Sequence, residues 1–208
     1  MQKIYTIDLL RHGKTTAGQC FLGSTDADLT ESGVQKMHKV LQQNNYSRVI
    51  SSPLKRCADF SQAYIKDKKI PLIIENDLRE MNFGDWEGRT SAEIWETQQK
   101  QLSAFWNDPA NNTPPNAEPY TDFTYRVDAV FLKQIETYCK EKCSEEQNSE
   151  QGNNTLIIAH GGVIRQMLAC ILSLNFQQAQ KIHIDYASLS RIEFCDGHLS
   201  IRFLNHRV

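Results

Sequence analysis

The chain has 208 residues, 40% of them hydrophobic, and a formal net charge of −2. That length is enough to bury a sizeable core as a single domain, residues 1–208. The balanced charge, with no block of Lys and Arg, argues against a surface that tracks nucleic-acid phosphates. No apolar run approaches the length that spans a bilayer, and Met1-Gln2-Lys3-Ile4-Tyr5 lacks a signal-peptide pattern, so a soluble, cytoplasmic protein without membrane partners is expected. The cysteines, Cys20, Cys57, Cys139, Cys143, Cys170 and Cys195, lack zinc-knuckle spacing and are expected to be reduced thiols. Cys139 and Cys143 stand one helical turn apart, but no neighbouring histidine completes a metal clip.

Ile4 to Leu10 is predicted as a buried central strand, because both of its alternating faces are mainly apolar. Asp8 breaks that pattern and requires a partner that the sequence does not name. The strand runs out into Arg11-His12-Gly13, which delivers two polar side chains to the carboxyl edge of a sheet, where open α/β folds place their ligands. Residues 14–28 form a loop, and Thr30 begins a helix with Val34, Met37 and Leu41 at three-to-four spacing, ended by Asn44-Asn45. Ser47 to Ser52 is a short strand, and Pro53 takes a first-turn position of the next helix, with Arg56 close behind it.

Pro71 to Glu75 forms a further strand, followed by a glycine-punctuated loop, 78–88, that carries Glu80 and Glu87 beside aromatic residues. Thr90 to Trp106 reads as a helix with Ile94, Trp95, Leu102, Phe105 and Trp106 inward. Residues 107–119 are dominated by proline and asparagine and are too long for a plain connection, so they are expected to act as a lid or binding loop. A helix from Tyr120 or Thr121 to about Cys143 turns Phe123, Val127, Val130, Phe131 and Ile135 inward, and the polar stretch 144–154 follows it. Thr155 to Gly162 then repeats the opening design, an apolar β-branched run ending in His160 and two glycines, ahead of a helix from Val163 to Leu172. Ser188–Phe194 and Leu199–Phe203 flank Asp196-Gly197, a hairpin signal.

If the strands are parallel, His12, His160, Arg11 and Arg56 meet at one sheet edge. Two histidines and two arginines suit a compact, highly charged anion, and phosphate offers oxygens to every donor, each charge-assisted bond contributing on the order of 1.5–3 kcal/mol. The Gly161-Gly162 amides at a helix start would add donors. Such a site becomes catalytic if one neutral imidazole faces phosphorus and a loop carboxyl supplies a proton to the leaving alkoxide.

These blocks resemble the histidine phosphatase superfamily, which includes the cofactor-dependent phosphoglycerate mutases and the α-ribazole-5′-phosphate phosphatases of cobalamin synthesis, the latter the more similar. The resemblance rests on Leu10-Arg11-His12-Gly13-Lys14-Thr15, Leu29-Thr30-Glu31-Ser32-Gly33, Ser51-Ser52-Pro53-Leu54-Lys55-Arg56, residues 78–88, and Ala159-His160-Gly161-Gly162-Val163-Ile164-Arg165. These stretches occur in family order over nearly the whole chain. The resemblance implies a three-layer α/β/α fold with a mostly parallel central sheet and a lid or insertion region at about 82–123. It implies His12 as the phosphorylated nucleophile, Glu80 as proton donor and acceptor, Arg11 and Arg56 as phosphate clamps, and His160 as a further donor, with Glu87 structural. Neither metal nor cofactor is implied, and the expected partner is a small phosphorylated metabolite, with a homodimer left open.

Family members usually carry Glu at the position of Lys14 and a phosphate-touching Asn at the position of Gly18, so Thr15 or Gln19 is expected to substitute. Gly161, Phe83, Trp86 and Glu118 are the remaining expected substrate contacts, and Phe83, Trp86, Trp106, Tyr120 and Phe123 could form an aromatic wall for a benzimidazole nucleoside. The proline-containing insertion of the mutases is not evident, which favours a phosphatase. A broad-specificity or sugar-phosphate phosphatase, a mutase, a non-catalytic phosphate-binding regulatory module and a metal-dependent hydrolase using His12 and His160 are the alternatives.

Overall fold

The structure, a computed structural model, describes residues 4–143, 154–195 and 197–208, with the backbone alone for 138–143. The Cys139 and Cys143 side chains, the polar stretch 144–153 and Asp196 of the expected hairpin turn lie outside the described residues.

The chain runs β1 (Tyr5–Arg11), α1 (Glu31–Leu41), β2 (Arg48–Ser51), α2 (Lys55–Ile65), β3 (Leu72–Ile74), α3 (Ser91–Asn107), α4 (Tyr120–Cys143), β4 (Asn154–Ala159), α5 (Gly161–Leu172), α6 (Phe176–Ala179), β5 (Leu189–Cys195) and β6 (His198–His206). The six strands among the described residues form one sheet in the order β3-β2-β4-β1-β5-β6. The first four in that order are parallel, while β5 and β6 add antiparallel ladders at one side. The sheet is therefore mixed, as expected of a mostly parallel core extended by a terminal hairpin.

Side-chain alternation builds three layers. Tyr5, Ile7 and Leu9 of β1, with Ile157 and Ala159 of β4, share one core cluster with residues of α3, α4 and α5. Leu10, with Leu156 and Ile158, belongs to a second cluster formed with α1 and α2. Because β1 is covered on both faces, its sequence could be apolar throughout except at Asp8. That carboxylate is fully buried and accepts from Arg191 Nε at 2.7 Å, Arg191 Nη2 at 2.8 Å and the Tyr46 hydroxyl at 2.6 Å. A strand from the far end of the chain thus supplies the partner.

Helix boundaries follow local chemistry. The Thr30 hydroxyl accepts from the Gly33 amide and caps α1. Thr90 and Glu93 make a reciprocal capping box at α3. Two expectations are corrected. Pro53 is not in the first turn of α2, because Leu54 is the extended N-cap and its amide is held by the Ser52 hydroxyl. Trp95 and Trp106 are not inward, being 49% and 41% exposed. Neighbouring helical residues point about 100° apart, so Ile94 and Phe105 take the core face and turn the tryptophans aside.

Residues 107–119 are irregular, as predicted, but they do not line the cleft described below. The loop is pinned instead to the turn at 84–86: the Asp85 amide donates to the Pro115 carbonyl at 3.0 Å, and Asn116 Nδ2 to Asp85 Oδ1 at 3.0 Å. Gly84, at φ +56°, is required there, since a Cβ would lie 2.1 Å from the Pro115 carbonyl oxygen. Among the described residues no helix is long and apolar enough to cross a membrane.

Candidate active site

The two histidine motifs meet because of strand register. Arg11 of β1 pairs with Ala159 of β4 in a parallel ladder, so the next residues, His12 and His160, leave the sheet side by side, with ring centroids 5.2 Å apart. The His12 amide donates to the Ala159 carbonyl, and its carbonyl accepts from Ala187. Close contact with α1 demands glycine at the following position: a Cβ on Gly13 would lie 2.6 Å from the Gly33 backbone, which links two of the motifs read from the sequence.

His12 Nδ1 lies 2.8 Å from the Gly13 carbonyl oxygen, which can only accept, so Nδ1 carries the hydrogen and Nε2 keeps a lone pair. Nε2 has no hydrogen-bond partner among the described residues. Burial, then the Arg11 and Arg56 charges, hold the imidazole well below its ordinary value of 6.5, and the Gly13 bond opposes this only weakly. His12 is therefore neutral at physiological pH.

Arg56 lies behind this ring, fully buried. It makes four hydrogen bonds: Nε to His160 Nδ1 at 3.2 Å, Nη1 to the Thr25 carbonyl at 2.8 Å, and Nη2 to the Leu22 and Gly23 carbonyls at 3.1 and 2.7 Å. With Nδ1 of His160 accepting, its Nε2 donates to the Ser52 hydroxyl at 2.7 Å. His160 is held well below 6.5 by burial, with the Arg56 charge second. Both residues come together with His12 as expected, but neither lines the cleft. The expectation that His160 offers a donor to the cleft is corrected in this arrangement, because both of its ring nitrogens are engaged within the protein.

Segment 22–25 is gripped from two sides. Arg56 takes its carbonyls, and Glu87 takes the amides of Gly23, Ser24 and Thr25 at 3.0–3.2 Å as well as that of Phe83 at 3.0 Å. Burial opposes the Glu87 charge, but the bonds from Thr25, Phe83 and Ser24 outweigh it and hold the carboxyl below its ordinary value of 4.5. The geometry gives Glu87 a structural part.

A cleft of about 820 Å³ opens over His12, lined also by Arg11, Gln19, Glu80, Phe83, Trp106 and Tyr186. It shares Arg11, Glu80, Phe83 and Trp106 with an inner recess of about 200 Å³, into which Tyr120, Phe123, Phe176, Gly161 and Arg165 also project. Arg11 Nη1 donates to the Ile184 carbonyl at 2.6 Å, and the guanidinium lies 3.8 Å from the Tyr186 ring centre, while its buried Nε has no partner. Gly161 packs closely against it, since a Cβ there would lie 3.3 Å from that guanidinium and oblige it to shift by a few tenths of an ångström. Glu80 accepts from the Met81 amide at 3.2 Å and the Gly162 amide at 2.9 Å. Of the two glycine amides expected to hold phosphate, the second is thus directed at Glu80.

Three expected substrate contacts are corrected. The Trp86 indole is fully buried in the core and donates to Gln98, where α3 departs from helical geometry. The Thr15 hydroxyl is turned inward, 1% exposed and unpartnered. Glu118 is paired with Arg126 at 2.6 Å, away from the cleft. Gln19 does line the cleft, beside the turn at Gly18, and Phe83 lines both spaces. Tyr186, Phe176 and Arg165, which line the two spaces, and Ser52, which holds His160, are site residues that the sequence does not single out. Ser52 and Arg165 sit inside recognised blocks and could have been suspected, whereas Tyr186 lies in an irregular stretch before β5 with no signal of its own. Among the described residues no group of three His, Cys, Asp or Glu side chains is placed to hold a metal ion.

A cleft with a neutral histidine at its floor and Arg11 and Glu80 on its walls defines a class, and comparison with known proteins agrees. The profile of the histidine phosphatase superfamily (branch 1) matches residues 7–207, and the chain belongs to that family. It is a phosphoric monoester hydrolase. It is 28% identical over 205 residues, 96% of each chain, to an adenosylcobalamin/alpha-ribazole phosphatase of Salmonella typhimurium. It is 26% identical over 187 residues, 86% of this chain and 82% of the other, to a 2,3-bisphosphoglycerate-dependent phosphoglycerate mutase of Cytophaga hutchinsonii. The crystal structure of the alpha-ribazole phosphatase from Shigella flexneri superposes with a TM-score of 0.80 at 26% identity, covering 98% of this chain and 97% of that one.

Proposed function

We propose that this phosphatase is metal-independent, that it works through a phosphohistidine at His12, and that its substrate is α-ribazole 5′-phosphate. The observation that carries the reading is the His12 tautomer: Nδ1–H is committed to Gly13, and a neutral Nε2 is left at the floor of a cleft that also holds Glu80 and Arg11.

In the proposed cycle the phosphoryl group docks against Arg11, whose unpartnered Nε gains an acceptor, and the Arg56 charge stabilises it from behind. His12 Nε2 bonds to phosphorus as the bond to the leaving oxygen breaks, and that oxygen takes a proton from the Glu80 carboxyl. Water then attacks phosphorus and gives a proton to Glu80, the phosphorus–nitrogen bond breaks, and its electron pair returns to Nε2. Two guanidinium groups supply the charge stabilisation that Mg²⁺ provides in other phosphoryl-transfer sites.

The inner recess supports the substrate. Phe83, Trp106, Tyr120, Phe123 and Phe176 give it aromatic walls directly beside Glu80, where the leaving alcohol must lie. A benzimidazole nucleoside is a flat aromatic alcohol suited to such walls, and the similarity to the Salmonella enzyme points the same way. The test is a panel of phosphate monoesters compared by kcat/KM, including α-ribazole 5′-phosphate, sugar phosphates and 3-phosphoglycerate, in the presence of EDTA. A clear preference for the nucleotide is expected. Equal rates across the panel would leave a broad-specificity phosphatase, and loss of activity in EDTA would remove the metal-independent mechanism.

A further inference from the structure

Glu80 lies on an irregular stretch between two single 3₁₀ turns, Asn76–Leu78 and Gly84–Trp86, so no helix or strand ladder fixes its backbone. Arg126, in the second turn of α4, reaches across to this stretch. Its Nη1 donates to the Asp77 carbonyl at 2.6 Å and the Arg79 carbonyl at 2.7 Å, and its Nη2 to the Glu80 carbonyl at 3.2 Å. The remaining donors go to Glu118, Nε to Oε1 at 2.6 Å and Nη2 to Oε2 at 2.8 Å. A guanidinium has five N–H groups, and every one is used.

Glu118 neutralises the cation and extends the clamp. Its Oε2 accepts from the Asn82 amide at 3.3 Å, and its own amide donates to the Asn82 carbonyl at 3.0 Å. The segment from Asp77 to Asn82 is thereby held on both sides of Glu80. Neither Arg126 nor Glu118 lines the cleft or the recess, so neither can touch substrate there.

We infer that Arg126, charge-balanced by Glu118, is a positioning residue that sets the Glu80 carboxyl against the leaving oxygen. A general anchor would need one bond to the loop. Three bonds to the carbonyls of Asp77, Arg79 and Glu80 itself constrain the direction in which the Glu80 side chain leaves the backbone. Displacing a proton donor by about 1 Å costs on the order of 100-fold in rate when the proton matters to the transition state. The inference rests on the proposed acid role of Glu80.

The test compares Arg126→Gln with Glu80→Gln on two substrates, an alkyl phosphate and p-nitrophenyl phosphate, whose leaving phenolate needs little protonation. For Arg126→Gln, kcat on the alkyl ester is expected to fall by roughly 10–100-fold while p-nitrophenyl phosphate is nearly unaffected. Combined with Glu80→Gln it should add no further loss, since both act through one proton. Equal losses on the two esters, or losses that multiply in the double variant, overturn the inference. If Glu80→Gln itself fails to discriminate the esters, the acid role falls and this inference with it. If Glu80→Gln discriminates and Arg126→Gln does not, only the positioning role falls. Should Arg126→Gln not fold, Glu118→Gln, which keeps the side-chain size and removes the neutralising charge, is expected to show the same selective loss, and an equal loss on both esters would again overturn the assignment.

Discussion

The imidazole of His12 and the carbonyl of Gly13, adjacent in the chain, are joined by an Nδ1–H···O bond of 2.8 Å, and this bond leaves Nε2 as the ring nitrogen that keeps its lone pair. The first prediction follows from it. His12→Ala should abolish turnover, and acid-labile phosphate trapped from substrate in the parent protein should be absent from the variant. Near-normal rates in His12→Ala, in a protein with unchanged circular dichroism, would show that no phosphohistidine at this position is needed.

A second prediction concerns pH. Burial and flanking cations place His12 and His160 well below 6.5 in the folded protein. The acid limb of kcat/KM that reports His12 should therefore lie below pH 6.5. Stability changes in the same window. Both imidazoles are neutral in folded and unfolded chains above the unfolded value near 6.5, so their contribution is fully present there. Below it the unfolded chain takes up protons that the folded protein refuses, and stability falls as pH drops toward the folded values. The urea midpoint should be lower at pH 5.5 than at pH 7.5, and His160→Asn should shrink that difference. An unchanged difference in the variant would contradict the burial of a neutral His160.

The aromatic recess makes a third. Trp106 is 41% exposed and lines both the cleft and the recess. Trp106→Ala should raise KM for an aromatic nucleotide by about 5–10-fold, the lower range expected for loss of one stacking ring, and leave KM for glycerol phosphate nearly unchanged. A similar rise for both substrates would mean that the ring shapes the cleft without recognising the leaving group.

A fourth prediction tests the fold independently of catalysis. Asp8→Ala removes the buried acceptor for Arg191 and Tyr46, and breaking such a pair costs about 3 kcal/mol. Chemical denaturation should show a loss of that order with an unchanged slope, while the kcat/KM of the folded protein is largely kept, since Asp8 lies on the α1 and α2 side of the sheet away from the cleft. A loss below about 1 kcal/mol would place this pair among those that contribute little.

Much of the candidate site was legible because chemistry and local structure coincide at strand ends. A run such as Ile7-Asp8-Leu9-Leu10 can be buried only in a covered sheet, and the polar residues that follow it must emerge at an edge. The same logic at Thr155–His160 brings the two histidines together. Trp86 and Trp106 show where such reading stops. Both are aromatic, yet one is core and the other lines the cleft, because local backbone geometry and packing, not residue type, decide which face is covered.

The sequence by itself determined the α/β class, the placing of His12 and of His160 each at the end of an apolar strand, the presence of Arg11, Arg56 and Glu80, and family membership, since each depends on residue type at short spacing. Tertiary structure alone decided what each charged group is satisfied by. Asp8 finds Arg191 on β5, Arg56 spends its donors on segment 22–25 and His160, and Glu118 binds Arg126 instead of facing the cleft. The physical reason is that a buried charge must be matched by whatever partners the fold brings within about 3 Å, and along the chain those partners lie anywhere from eight residues away, for Glu118 and Arg126, to 183, for Asp8 and Arg191.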